Sequence, residues 1–267
     1  MTLKVVIAGV SGRMGHALLQ GVFADSTLEL FGAIDRAGSA TIGRDAGEQF
    51  GINSGVYVSD DAAQTLQGAD ALIDFTRPEA SMDYLEWCQQ FKVKHIIGTT
   101  GFTLEQKAKI ELAAKNTAIV FAPNMSVGVT LLISLVEQAA KILNDGYDIE
   151  VVEMHHKHKV DAPSGTALRL GEAAAKGLGT TLKESAIYAR EGVTGAREAG
   201  KIGFATLRGG DVVGDHTVIY AGEGERVEIT HKASSRATFA QGALRAAKFL
   251  ADKKTGLYDM RDVLSLK

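Results

Sequence analysis

"VVIAGVSGRMGHAL", residues 5–18, runs from an apolar segment into a helical pattern through Gly9, Gly12 and Gly15. Its opening residues are apolar without alternation, which predicts a strand buried on both faces, as in the interior of a parallel sheet. A glycine turn between such a strand and a helix aims backbone N–H groups and the positive end of the helix dipole at one point. That arrangement suits a pyrophosphate. The strict G-x-G-x-x-G spacing is not met, because position 11 is Ser11. A turn that merely packs a helix on a sheet would use the same glycines, so the flanking sequence carries weight. "AIDR" closes a second apolar run about 20 residues further on, as a dinucleotide site requires. There Asp35 is placed to bond a ribose 2′-hydroxyl, and Arg36 to pair with a 2′-phosphate.

Outward from this turn, apolar runs at 3–8, 28–34, 70–75, 94–98 and 118–122 alternate with helical patterns at 13–24, 78–91 and 104–115. The alternation predicts an α/β fold, a Rossmann-like doubly wound parallel sheet. Residues 36–60, rich in Gly, Ser and Asp, read as a long loop. Ligands of such sheets bind outside the carboxyl ends of the strands. "IDFTRPEA" (73–80), "IIGTTGF" (96–102) and "FAPNMS" (121–126) therefore border the same crevice. The plainer alternative for each is an ordinary strand-to-helix turn, with Thr103 as a helix cap.

Past residue 125 the pattern changes. A long helix at about 126–143, a strand at 148–154 and a helix near 165–177 precede three glycine-separated runs, "GFATLRGG", "VVGDHTVIYA" and "RVEITHKAS". These read as consecutive, largely antiparallel strands of a second α+β domain with an antiparallel or mixed sheet, residues 127–235. Residues 237–250 are helical again with little sheet left to cover. The expectation is one discontinuous first domain, 1–126 and 236–267.

Composition narrows the function classes. Among 267 residues, 45% are hydrophobic and 23% charged, ordinary for a globular chain, and the net charge of −3 argues against a broad nucleic-acid surface. Cys88 is alone, so no intramolecular disulfide forms, which fits a reducing compartment. No apolar run approaches the roughly 20 residues that span a bilayer, and the first residues lack a basic signal-peptide region. A cytoplasmic protein with neither membrane nor nucleic-acid partner is expected.

"EVVEMHHKHKVDAPSGTA", residues 150–167, sets three histidines and two lysines in five positions. As a metal site it offers His156 and His158 on one strand face, but no cysteine, and Lys157 and Lys159 would repel a cation. No metal is expected. As a solvated basic turn it explains Lys157, yet it leads directly into a helix start at Pro163 and Ser164, followed by the first-turn N–H groups of Gly165 and Thr166. Cationic side chains at a helix N-terminus trap carboxylates or phosphates, and a histidine there can move protons near neutral pH. The preferred reading is an anion pocket containing an acid catalyst.

Taken together, "VVIAGVSGRMG", "IDFTRPE", "IIGTTGF", "APNMSVGV", "EMHHKHKVDAPSGTA", "IGFATLRGGDVVGDHTV" and "EITHKASSR" resemble the dihydrodipicolinate reductases, also called 4-hydroxy-tetrahydrodipicolinate reductases, of lysine biosynthesis. The resemblance covers nearly the whole chain. It implies an oxidoreductase using NADH or NADPH on a small dicarboxylate, with hydride passing from the nicotinamide to the substrate ring. His155 resembles the family's proton donor/acceptor and Lys159 the second proton donor. His156, Gly165 and Thr166 resemble the group that binds the substrate carboxylates. Gly9, Val10, Ser11, Gly12, Arg13, Met14, Asp35, Arg36, Gly98, Thr99, Thr100, Ala122, Pro123, Asn124 and Met125 resemble the cofactor-binding positions. Ser11 stands where some members have glycine and Asp35 where some have glutamate, which leaves the choice between NADH and NADPH open. The resemblance also implies a homotetramer assembled through the second domain's sheet. A nucleotide-sensing protein without chemistry is the rival class; paired proton donors at His155 and Lys159 argue against it.

Overall fold

Val5, Val6 and Ile7 are fully buried, and their strand, β1 (Leu3–Ala8), has a parallel neighbour on each side. The computed structural model describes residues 2–266. After β1 come α1 (Arg13–Phe23), β2 (Leu28–Ile34), β3 (Val58–Ser59), α2 (Ala62–Leu66), β4 (Ala71–Asp74), α3 (Pro78–Phe91), β5 (Lys94–Ile97), α4 (Leu104–Ala113) and β6 (Ala118–Phe121). Next are α5 (Val127–Ile142), β7 (Asp148–His155), α6 (Gly165–Gly177), α7 (Leu182–Ser185), β8 (Ala186–Ile187), β9 (Ile202–Arg208), β10 (Gly214–Ala221) and β11 (Arg226–Ala233). The chain closes with α8 (Ala237–Phe249), β12 (Gly256–Tyr258) and α9 (Met260–Val263). It divides into two compact units, 2–127 with 236–266, and 128–235.

The first unit is the expected doubly wound parallel sheet, in the order β12-β6-β5-β4-β1-β2-β3. The period-2 geometry of β1 sends alternate side chains to opposite faces. Val5 and Ile7 join the core shared with α1 and α8, whereas Val6 and Ala8 join the core that includes Tyr84 and Cys88 of α3. Burying each Val, Leu or Ile side chain is worth about 1.5–3 kcal/mol, so apolar strands covered on both faces supply most of the unit's cohesion. Helix starts follow capping chemistry: Asp61 accepts the Gln64 N–H, Pro78 opens α3, and Thr103 forms a capping box with Gln106.

Two features depart from the sequence reading. The 36–60 segment is an organised loop: Asp45 gathers the N–H groups of Gly47, Ser54 and Gly55 and the Ser54 hydroxyl, and β3 near its end pairs with β2. The edge strand β12 was too short and polar in its surroundings to stand out, yet it pairs in parallel with β6.

The second unit is a five-stranded mixed sheet, β11-β10-β7-β9-β8. Consecutive, largely antiparallel strands in an antiparallel or mixed sheet were expected after α6, and the sheet is mixed. Only β10 pairs antiparallel with β7 and β11, while β9 lies parallel to β7 and β8 parallel to β9. The connection between β7 and β9 contains α6, long enough for a parallel crossover. Ile149, Val151, Val218, Tyr220, Ile202 and Phe204 bury one face under α5 and α6. The Tyr220 hydroxyl donates to the Val136 carbonyl of α5 at 2.7 Å. No helix among the described residues is long and apolar enough to cross a membrane.

Candidate active site

In the first unit the candidate site is made of backbone. Gly9 adopts φ +73°, a conformation natural to glycine, and a Cβ on Gly15 would lie 2.2 Å from the Gly9 carbonyl oxygen. The absence of a side chain at Gly15 therefore lets α1 start against the turn. The N–H groups of Gly9 and Val10 bond the Ile34 carbonyl and that of Gly12 the Gly9 carbonyl. Arg13, Met14 and Gly15 open α1, and a helix leaves their N–H groups without internal partners. The cradle presents donors and a positive helix end to an anion, which fits a dinucleotide pyrophosphate.

Asp35, at the end of β2, is buried and holds this turn. Its carboxylate accepts the Ser11 N–H at 3.1 Å, the Arg36 N–H at 2.8 Å, and the hydroxyls of Ser39 and Thr41 at 3.1 and 3.0 Å. Burial pushes Asp35 up, but these four bonds more than offset it and hold the carboxyl below its ordinary range. Three of the four fall on Oδ2, so Oδ1 is the oxygen left for a ribose hydroxyl. Arg36 is exposed at the rim. Beside it lies a cavity of about 650 Å³, bordered by Asp35, Asp60, Asp61, Asp83 and Glu86 as well as Arg36 and Trp87.

The parallel sheet brings the remaining first-unit candidates to the same edge. Gly98 follows β5, and a Cβ there would lie 2.2 Å from the Phe75 ring. Thr99 is buried; its hydroxyl lies 3.0 Å from that of Ser81 and donates to Asp74 at 3.3 Å, whereas Thr100 is exposed. Asp74, fully buried, also takes the Ser81 and Thr76 hydroxyls at 2.5 and 2.6 Å. Burial raises the Asp74 carboxyl, and His95, Ser81 and Thr76 outweigh it, leaving it ionised below the usual range. After β6, Ala122 and Met125 are buried, Asn124 accepts the Ser126 N–H through Oδ1, and Pro123 is exposed. A Cβ on Gly242 of α8 would fall 1.7 Å from the Met125 carbonyl, so this segment and α8 pack backbone to backbone.

In the second unit the candidate site is made of side chains. Register sets Glu153 opposite His216 and His155 opposite Arg208, and the buried alternation Ile149, Val151, Glu153, His155 carries the helix-covered face from apolar core into polar site. Glu153 accepts His155 Nδ1 at 2.5 Å, two guanidinium nitrogens of Arg208 at 2.8 and 2.9 Å, and the Ser164 N–H at 3.0 Å. Ser164 caps α6 by accepting the Ala167 N–H, and its hydroxyl lies 3.0 Å from His216 Nε2. Gly165 and Thr166 are the first helical residues beyond that cap. Burial lowers His216 to about 4, with help from the neighbouring His155.

The strand ends at His155, which corrects the placement of His156 and His158 on one strand face. Both lie in the turn that follows, with rings 6.2 Å apart. His156 is half-buried and its N–H bonds the Val212 carbonyl, while Lys157 and His158 are exposed. Lys159 donates to Asp161 at 2.8 Å. Sequence reading missed Glu153 and Arg208. Glu153 carried a signal, since a residue two positions before His155 in a strand shares its face. Arg208 carried none without the β7–β9 register. His216 carried none either, since it meets the site only through the β7–β10 register.

Comparisons with known proteins accord with this geometry. A family model described as "Dihydrodipicolinate reductase, N-terminus" matches residues 3–125, and one described as "Dihydrodipicolinate reductase, C-terminus" matches residues 128–264. The 4-hydroxy-tetrahydrodipicolinate reductase of Thiobacillus denitrificans is 61% identical over 267 residues, covering 100% of both chains. That of Nitrosospira multiformis is 56% identical over 266 residues, covering 100% of this chain and 99% of the relative. A dipicolinate-bound dihydrodipicolinate reductase from Paenisporosarcina sp. TG-14 shares the fold, with a TM-score of 0.80 at 24% identity, covering 98% of this chain and 99% of that one.

Proposed function

The chain belongs to the dihydrodipicolinate reductase family, and from that premise we infer that it reduces 4-hydroxy-tetrahydrodipicolinate to tetrahydrodipicolinate in lysine and diaminopimelate biosynthesis. The observation that carries the reading is that a single buried carboxylate, Glu153, holds both His155 and the cap of α6. An acid/base group and an anion-binding helix start are thereby fixed together. The net reaction gains one hydride and one proton and loses one water. A bound reduced nicotinamide supplies the hydride. His155 exchanges a proton with the substrate through Nε2, and Lys159 is the second donor. The N–H groups of Gly165 and Thr166, with His156, hold the carboxylates, where donors at a helix start favour anions.

The first unit is proposed as the cofactor half, with Arg13 and Met14 N–H groups on the pyrophosphate and the strand-end segments Gly98–Thr100 and Ala122–Met125 beside the nicotinamide. Both NADH and NADPH are used. Five carboxylates around the cavity beside Arg36 favour NADH, because a 2′-phosphate brings about two further negative charges into an acidic surround. The second unit is proposed to assemble a homotetramer through the sheet face not covered by α5 and α6, which carries Val152, Met154, Leu207 and Ile219. The chain's lone cysteine, Cys88 of the first unit, is buried and fits a cytoplasmic setting.

The test couples the purified protein to the preceding enzyme of the pathway, which generates the substrate in situ, and follows NADH and NADPH oxidation. Substrate-dependent oxidation of both is expected. Nucleotide binding with no oxidation would replace the reductase reading with the sensor one.

A further inference from the structure

We propose that Glu153 is a positioning residue for His155, fixing the imidazole with its proton on Nδ1 and leaving Nε2 as the nitrogen that exchanges protons; this rests on the reductase reading for its kinetic consequences alone. Burial raises Glu153, but the two Arg208 donors, His155 and the Ser164 N–H overcome that and keep it ionised below its ordinary range. An ionised carboxylate only accepts hydrogen bonds. The 2.5 Å contact to His155 Nδ1 therefore requires the proton to sit on that nitrogen. Nε2 is then an acceptor when the ring is neutral and a donor when it is charged.

Gly214 supplies an independent observation. A Cβ at that position, the first residue of β10, would lie 2.9 Å from His155 Nε2 and 3.3 Å from its Cδ2. Gly214 thus keeps the approach to the proton-exchanging nitrogen clear, while Glu153 occupies the opposite nitrogen. Arg208 completes the device. Without it, a carboxylate 1% exposed would be an isolated buried charge beside the imidazole. With it, the carboxylate is balanced while it orients the ring.

The charged and titratable groups around His155 are Glu153 on β7, Arg208 on β9, His216 on β10 with His231 of β11 behind it, and Lys159 and Asp161 in the following turn. Glu153 is the group bonded directly to the ring. A carboxylate bonded to a ring stabilises the ring's charged form, so replacing this one should change the pH dependence of the rate.

Two measurements decide the proposal. In protein labelled with ¹⁵N-histidine, with the His155 signals assigned by their loss in H155Q, neutral His155 should show a protonated Nδ1 and an unprotonated Nε2. This reading needs neither substrate nor turnover, so it stands or falls apart from the reductase assignment. In steady-state kinetics, folded E153Q should lose roughly tenfold or more in kcat, with the KM for NADH unchanged and the high-pH limb of kcat/KM displaced to lower pH. E153D, which restores the charge, should recover part of the kcat and return the limb toward its original position. A wild-type His155 protonated on Nε2 overturns the proposal, as does a folded E153Q with unaltered kcat and pH profile.

Discussion

In the first unit the anion cradle is peptide backbone: glycines at 9, 12 and 15, a helix start, and strand ends brought level by parallel pairing. Asp35 serves it from behind by holding the Ser11 N–H. In the second unit the corresponding surface is a buried network of ionisable side chains, Glu153, His155, Arg208 and His216, on one sheet face. The contrast follows from the tasks. Holding a pyrophosphate needs fixed donors whose charge never changes, and backbone amides provide them. Moving a proton needs groups whose charge does change, and their cost of burial has to be offset by partners. The cradle should therefore fail through shape and the pocket through charge.

The largest effect is expected from shape. Gly15→Val places a branched side chain where a Cβ alone lies 2.2 Å from the Gly9 carbonyl and 2.6 Å from the Val10 Cα. Relaxing such overlap costs about 1–3 kcal/mol in stability and moves α1 off the turn. Calorimetry should show no binding of either NADH or NADPH to the folded variant. Unimpaired binding would mean that the cradle tolerates side chains and that the contrast is misdrawn. Next in size is charge: His155→Gln keeps a polar group but removes the proton exchanger, and kcat should fall by about 10²–10⁴-fold with NADH affinity intact. A near-normal kcat in a folded variant would return the histidine cluster to a solvated turn.

The same contrast decides what was legible in sequence. The doubly wound sheet was readable because parallel strands are buried on both faces and therefore appear as unbroken apolar runs, as in 5–8 and 71–73. The start of α6 was readable because a cap is a local event, Ser164 bonding a residue three positions on. The charge network was not. Arg208 meets Glu153 across 55 positions, and Ser164 meets His216 across 52, through a register that the chain's local pattern does not encode. The parallel pairing of β7 with β9 was lost for the same reason. Alternation reports which face is buried and says nothing of a neighbour's direction.

A third prediction separates the buried histidine from the acids around it. His216 is held at about 4 against an ordinary 6.5, so the folded protein resists a proton that the unfolded chain accepts. Stability tied to this group is complete above pH 6.5 and is lost as pH falls toward 4, amounting to about 3 kcal/mol. Glu153 and Asp74 lie below their ordinary values and keep their contributions to lower pH. Denaturant titrations between pH 7 and 4 should therefore show a shallower fall for His216→Gln than for the wild type. Parallel curves would place the acid sensitivity elsewhere.

The smallest effect concerns the one side-chain charge assigned to the cradle. Asp35 is a poor probe of cofactor choice, since Asp35→Ala would also free the Ser11 and Arg36 N–H groups and the hydroxyls of Ser39 and Thr41. Both cofactors would suffer through the loosened turn. Arg36 is exposed, and in the proposed reading its side chain bears on cofactor choice through the 2′-position alone. A charge-assisted contact is worth about 1.5–3 kcal/mol when desolvated, and solvent screening at an exposed site reduces it. Arg36→Ala should weaken NADPH by about 3–10-fold and leave NADH within about twofold. Added salt should narrow the difference in the wild type, because an exposed ion pair is screened, and change little in the variant. An equal loss for both cofactors would assign Arg36 to the shared part of the dinucleotide. The acidic surround would then decide the preference alone, and the cradle would no longer be a site of backbone donors only.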